Sequence, residues 1–242
     1  YKDWSSLSLK KRCHYINKFR KEIVANEKEL QKILQSETGK KDFDILVEYF
    51  GAVEHLKQIT KIAKKALKPS RRNAGLMKTK KAYVLYEPLG VAGVISPWNY
   101  PLTTPITSIV GALLAGNNVV IKPSEHTPLT VLYLKELWDT YIGFKGAFNV
   151  LVGDGIVGQM LVESVDVDVV CFTGSTKVGV GIARSCAKTL KHNILELGGK
   201  DPMIVLKDAD LSRVVESALF AGLSNAGQTC ISVEEVYAED EV

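Results

Sequence analysis

The chain has 242 residues, 46% of them hydrophobic and 24% charged, with a formal net charge of +4. That length accommodates one large domain or two smaller ones, and the composition excludes a disordered or low-complexity protein. The positive charge is dispersed: the Lys-rich runs at Lys10 and over 61–72 stand in helical or loop patterns without aromatic interleaving, so no nucleic-acid partner is expected. Cys13, Cys171, Cys186 and Cys230 show no CxxC or other metal-ligand spacing, so no metal is expected. With no Asn-x-Ser/Thr acceptor present, a reducing, cytoplasmic compartment fits these thiols. No secretory signal opens the sequence and no apolar run reaches the roughly 18 residues of a membrane span, so no membrane partner is expected.

Ser8 is placed to cap a helix whose apolar positions Leu9, Cys13, Ile16, Phe19, Ile23 and Val24 recur at spacings of three and four. Asn26, with Glu29 three residues on, marks a second helix that carries Leu30, Ile33 and Leu34 on one face and stops near Thr38-Gly39. A third helix is expected from Asp42 to Ala66, with Ile45, Leu46, Tyr49, Val53, Leu56, Ile59 and Ile62 inward. These helices read as cover for a sheet, and nothing in them suggests chemistry. Turn residues and bare charge break the pattern over 69–75. Residues 78–87 alternate loosely, as an extended arm outside the main sheet would. The exposed edges of such an arm suit pairing with another subunit, although an ordinary surface hairpin reads the same way.

From Gly90 short apolar runs alternate with helical segments. Strands are expected at 91–95, 119–121, 148–152, 169–172 and 194–197, with helices over 106–115, 129–141, 157–164 and 178–189. About five strands separated by helices imply an α/β fold with a doubly wound, Rossmann-like parallel sheet, whose strands read as continuous apolar runs because both faces are covered. Ligands of such sheets lie beyond the C-terminal strand ends.

The first strand leads into Ser96-Pro97-Trp98-Asn99-Tyr100-Pro101, where Asn99 offers an amide donor, or merely closes an Asx turn. The second leads into Lys122-Pro123-Ser124-Glu125, where Glu125 is a natural acceptor from ribose hydroxyls. After the third, 153–158 matches G-x-G-x-x-G from Gly153 to Gly158, a weak signal in this position. After the fourth, Phe172-Thr-Gly174-Ser175 leads to Gly179, a spacing that lets a helix start close to a phosphate. It lacks the Lys-Ser/Thr of an ATP-binding P-loop. The fifth strand ends at Glu196-Leu197-Gly198-Gly199-Lys200. A strand at 203–206, a helix over 211–224 and a strand at 233–238 follow, with Asn225-Ala-Gly-Gln-Thr-Cys230 between the last two. A carboxylate and a cysteine in a tight turn suggest a base and a nucleophile. Taken alone, each has a blander reading: a solvated strand end and a small buried hydrophobe.

SPWNYP, KPSE, FTGSTKVG, ELGGK and GQTC, in this order and at these intervals, resemble the aldehyde dehydrogenase superfamily. The resemblance extends over nearly the whole chain, including Trp4 and Glu37-Thr38-Gly39-Lys40. It implies Cys230 as nucleophile, Glu196 as general base and Asn99 as oxyanion-hole side chain. It implies contacts of Lys122 and Glu125 to the adenosine ribose, a pyrophosphate turn at Gly174, Ser175 and Gly179, and a cofactor cleft lined by Ile95 and Trp98. Ser124, Gly153, Gly158, Phe172, Leu197 and Gly198 complete the implied contacts. The cofactor implied is NAD, with NADP as the alternative, and the substrate is a small-molecule aldehyde. Domains follow at 1–70 with 90–198 for the dinucleotide, 71–89 as an oligomerisation arm of a dimer or tetramer, and 199–242 as the start of a second α/β catalytic domain.

Two departures stand out. Glu235 replaces an arginine usual in the family, and the chain ends at about half a family member's length, before a Glu-x-Phe-Gly-Pro segment that contacts the nicotinamide ribose. By the same resemblance Glu196 favours hydrolysis to the acid over transfer to coenzyme A. Two other classes remain open on the residues: a nucleotide-binding or assembly module without turnover, and a thioester-forming hydrolase without redox chemistry.

Overall fold

The computed structural model describes residues 2–240 and 242. After one turn of helix (α1, Lys2–Ser5) come α2 (Leu9–Ala25), α3 (Glu27–Thr38) and α4 (Asp42–Ala66). The Ser8 hydroxyl accepts from Lys11 N at 3.4 Å, which satisfies one of the free N–H groups at the start of α2. Asn26 stands at the start of α3 without capping it by its side chain. Only that residue separates the two helices, and its amide donates backward to Glu22 O at 2.9 Å, closing α2 instead. Gly39, at φ 67°, ends α3 as expected.

The apolar surface of α4 is wider than its core-facing stripe. Ile45, Tyr49, Ala52, Leu56 and Ala63 are buried, while Leu46 and Ile62, expected inward, are exposed, as is Val24 in the last turn of α2. Phe43, Leu46, Val47 and Phe50 form a second, uncovered stripe one helical turn at a time.

The sheet contains β3 (Val91–Ile95), β4 (Asn118–Lys122), β5 (Phe148–Val150), β6 (Val169–Gly174) and β7 (His192–Leu197), in the order β5-β4-β3-β6-β7 and parallel throughout. Helices α5 (Thr103–Ala115), α6 (Leu129–Leu137), α7 (Gly155–Glu163) and α8 (Thr176–Ala187) connect the strands. The expected helix over 129–141 is α6 followed by a π-helical turn at Trp138–Ile142. Strand residues alternate between two cores. Ala92, Val94, Val119 and Ile121 pack under the N-terminal helices with α5 and α6, whereas Val170 and Phe172 pack under α7 and α8. Trp4 anchors the first core: its ring meets Trp138 and Phe144 edge-on at 5.7 and 5.0 Å, and its Nε1 donates to Leu113 O at 2.9 Å.

The arm differs from expectation. Only Ala82–Val84 (β2) is strand, and its antiparallel partner is β1 (Ser70–Arg72), within the stretch read as a turn. The pair stands apart from the main sheet, with Tyr83, Leu85 and Tyr86 exposed. Beyond β7, β8 (Asp201–Val205), α9 (Leu211–Leu223) and β9 (Val233–Ala238) form a βαβ unit with its own two-stranded parallel sheet. Ile204, Leu219 and Phe220 are exposed, whereas Val205 is buried. No helix among the described residues is long and apolar enough to cross a membrane.

Candidate active site and nucleotide cleft

Of the four thiols, burial pushes those of Cys13, Cys171 and Cys186 up, which keeps them protonated and unreactive. Cys230 is the exposed one. The loop before it is a tight left-handed turn: Asn225, Ala226 and Gly227 have φ values of 54°, 57° and 76°. Asn and Gly tolerate that region, but Ala226 there costs on the order of 1–2 kcal/mol. Such strain persists only where surroundings enforce it.

Those surroundings include Asn99. Its Nδ2 donates to Gln228 O at 2.8 Å, across 129 residues of sequence, leaving the second amide N–H uncommitted. Asn225 Nδ2 donates to Asn99 O at 3.1 Å and to Gln228 O at 3.3 Å, and Asn225 N donates to Asp44 Oδ1 of α4 at 3.3 Å. The Tyr100 hydroxyl pairs with Thr229 Oγ1 at 2.8 Å. Burial first, then the charges of Glu48, Asp44 and Cys230, push the Tyr100 hydroxyl up, so it stays protonated. The structure therefore brings Asn99 to the cysteine loop.

The Asn99 turn is held from behind by polar residues of the N-terminal helices. Glu48 is fully buried and accepts from Leu102 N at 2.8 Å and Thr103 N at 3.3 Å, at the start of α5. Its other carboxylate oxygen pairs with the buried Lys40 ammonium, which lies 4.2 Å from the centroid of the Tyr100 ring. Glu37 does the same for α6, accepting from Leu129 N at 2.7 Å and Thr130 N at 3.0 Å. The Glu37-to-Lys40 motif was visible as letters, but the helix start that Glu37 caps lies 92 residues away, and Lys40 acts through Glu48, whose own targets lie 54 residues further on.

Glu196 ends β7 beside Thr173 of β6 and is exposed. Leu195 and Leu197 pack on the α7–α8 core, so Glu196 points to the opposite face of the sheet, the side of the N-terminal helices. Among the described residues its carboxylate has no hydrogen-bond or ion-pair partner, and no bond joins it to Cys230. Gly198 is exposed in the loop that follows. Glu235 accepts from the Tyr237 hydroxyl at 2.5 Å.

Strand order reverses at β3, between the β4–β5 and β6–β7 sides, and a cleft of about 250 Å³ opens at the ends of β3 and β6 between α7 and α8. Ile95, Lys122, Gly158, Gln159, Phe172 and Val178 line it. Lys122 is buried and its ammonium lies 2.9 Å from Glu125 Oε2. The backbone amide of Glu125 and then the Lys122 ammonium hold the Glu125 carboxyl below the usual carboxylate range. Ser124 is buried and its hydroxyl accepts from His126 N at 3.3 Å, shaping the turn between them. Ser175 caps α8 by accepting from Val178 N at 3.4 Å. Gly174 and Gly179 make room for side chains: a Cβ on either would lie 2.5 Å from the Phe172 ring or from Leu197 Cδ2. Gly153 sits in the turn between β5 and α7. Trp98 is half-exposed in a neighbouring groove with Asn99, His126 and Gln228 rather than in the α7–α8 cleft.

A doubly wound sheet with its cleft at the switch point, followed by a unit that returns a thiol to the same edge, defines an α/β protein of the dinucleotide-binding type. The chain belongs to the aldehyde dehydrogenase family, whose model matches residues 1–242. It is similar to a Mycobacterium tuberculosis protein provisionally named succinate-semialdehyde dehydrogenase [NADP(+)] 2, at 35% identity over 99% of this chain and 46% of that protein. It is 33% identical to the D-glyceraldehyde dehydrogenase (NADP(+)) of Picrophilus torridus, over 100% of this chain and 49% of that one. The crystal structure of betaine aldehyde dehydrogenase from Staphylococcus aureus in complex with NAD+ superposes with a TM-score of 0.92 at 30% identity, over 98% of this chain and 47% of that one. The chain thus spans about half the length of the relatives it matches.

Proposed function

We propose that the protein carrying this chain oxidises an aldehyde to a carboxylic acid with NAD(P), through an intermediate bound to Cys230. The observation that carries this reading is the hydrogen bond from Asn99 to the loop of Cys230, which sets an amide donor beside an exposed thiol. Cys230 thiolate adds to the carbonyl carbon, forming a C–S bond, and the carbonyl oxygen becomes an oxyanion held by the free Asn99 N–H. When bound, the nicotinamide supplies the acceptor for the hydride lost from that carbon. Glu196 then takes a proton from water, the resulting hydroxide attacks the thioester carbonyl, and the C–S bond breaks to release the acid and the thiolate.

The cleft fits an adenine dinucleotide on its own residues. It lies at the switch point, its buried Lys122, paired with Glu125 beside it, suits ribose hydroxyls, and glycines at Gly155 and Gly181 leave open space on its two helices. Glu125 favours NAD, because a 2′-phosphate would meet its charge. Similarity to the family supports the same division of labour: 1–70 and 90–198 for the dinucleotide, 199–242 opening the catalytic domain, and 71–89 joining subunits of a dimer or tetramer. The exposed Tyr83, Leu85 and Tyr86 suit that arm. Four free cysteines suit a reducing compartment such as the cytoplasm.

The test is Cys230→Ala in the full-length protein. Aldehyde-dependent nicotinamide reduction is expected to vanish while NAD affinity stays unchanged. Retained oxidation would overturn the assignment.

A further inference from the structure

Helix α5 starts just beyond the Asn99 turn, and its own sequence does not cap it. Leu102 stands at the cap position without a side-chain hydrogen bond, and the first turn holds no acidic residue. The acceptor comes instead from Glu48 of α4, 54 residues earlier, whose Oε1 takes the N–H groups of Leu102 at 2.8 Å and Thr103 at 3.3 Å. The Thr103 hydroxyl answers by donating to Glu48 O at 2.9 Å. A Ser, Thr or Asp at the cap would satisfy the same helix start locally. Only a remote acceptor also fixes where α5, and the turn that leads into it, stand against α4.

The same carboxylate has a second reach. Lys40 follows Gly39, which ends α3, and its buried ammonium bonds Glu48 Oε2. That ammonium also lies 4.2 Å from the centroid of the Tyr100 ring, whose hydroxyl pairs at 2.8 Å with Thr229 Oγ1, on the residue before Cys230. One buried ion pair therefore bears on the Asn99 amide through residues 102–103 and on the nucleophile through Tyr100 and Thr229. Asn99 Nδ2 on Gln228 O and Asn225 Nδ2 on Asn99 O join the two ends.

Stability alone does not account for such a pair, because apolar residues of similar volume stabilise a core as well or better. What an apolar pair lacks is the means to hold two N–H groups and an aromatic ring in one arrangement. A misplacement of about 1 Å in a reacting constellation can cost about 10²-fold in rate. Resting on the aldehyde-oxidising reading above, we infer that Lys40 and Glu48 are positioning residues for the reaction: together they set where the Asn99 amide stands relative to the Cys230 thiol.

The experiment uses the full-length protein and two double variants. Lys40→Met/Glu48→Leu removes both charges and the acceptor, so a pair that served stability alone would leave parental kinetics. Its kcat is expected to fall at least tenfold (about 1.4 kcal/mol), with KM for NAD within about twofold of the parent. In Lys40→Met/Glu48→Gln the amide oxygen can still accept from Leu102 N and Thr103 N, and kcat is expected to exceed that of the first variant at least fivefold. Parental kcat in the first variant, equal kcat in the two, or a loss carried by KM for NAD overturns the inference while leaving the oxidising activity intact. If the parent oxidises no aldehyde, the proposed function fails, and the pair is read by amide hydrogen exchange over 225–230. Faster exchange there in the first variant than in the second upholds the positioning role; equal exchange overturns it.

Discussion

Glu48 offers the sharpest test of how the Asn99 turn is built. Its carboxylate has one oxygen on the Lys40 ammonium and the other on the N–H groups of Leu102 and Thr103. The two side chains of the pair are only 5% and 0% exposed. Glu48→Ala would leave a buried ammonium unpaired and two helix-start donors without an acceptor. Breaking a buried pair from one side costs about 3–5 kcal/mol. At roughly 2–4 °C per kcal/mol for a chain of this size, Tm should fall by about 6–20 °C. Glu29→Ala serves as the control, because its pair with Lys32 is 55% and 74% exposed and should change stability by under about 0.5 kcal/mol. Urea and thermal unfolding followed by circular dichroism would measure both. The reasoning is refuted if Glu48→Ala lies within about 1 kcal/mol of the parent. A Lys40→Met/Glu48→Leu double variant should recover much of the loss, since an apolar pair removes the stranded charge.

Asn99→Ala in the full-length protein should lower kcat by about 10²–10³-fold, equivalent to about 2.7–4 kcal/mol, without weakening NAD binding; a drop under tenfold would remove Asn99 from the oxyanion site. Glu125→Gln should weaken NAD and strengthen NADP, each by about tenfold (about 1.4 kcal/mol), and nucleotide titrations that show no change in their ratio would contradict the ribose assignment. His55 has a buried, unpartnered Nε2, and burial pushes its pKa down from 6.5. It stays neutral in the folded chain while the unfolded chain takes a proton, so stability should fall as pH drops below about 6.5 and be fully present above it. His55→Phe should flatten the urea midpoint between pH values on either side of that point, and an undiminished slope would count against this account.

Local sequence determined the elements of this protein because their periodicities are local properties. The spacings from Leu9 to Ile23 and from Ile45 to Leu56 specify helices, and runs such as Val91–Ile95 specify buried strands, whatever lies around them. The motif letters likewise marked Asn99, Lys122, Glu125, Glu196 and Cys230 at strand ends and in a turn. Partners were another matter. Leu46, Ile62 and Val24 carry apolar side chains at helical spacing yet face outward, because a stripe's width does not say how much of it the neighbouring elements cover. Residues 70–72 became a strand only because 82–84 lay beside them. The bond from Asn99 to the Cys230 loop, the bond from Asn225 N to Asp44 of α4, and the cap of Glu48 on α5 each join residues far apart in the chain. Such contacts are decided when the layers pack, because only then does a buried polar group meet the one partner that can satisfy it.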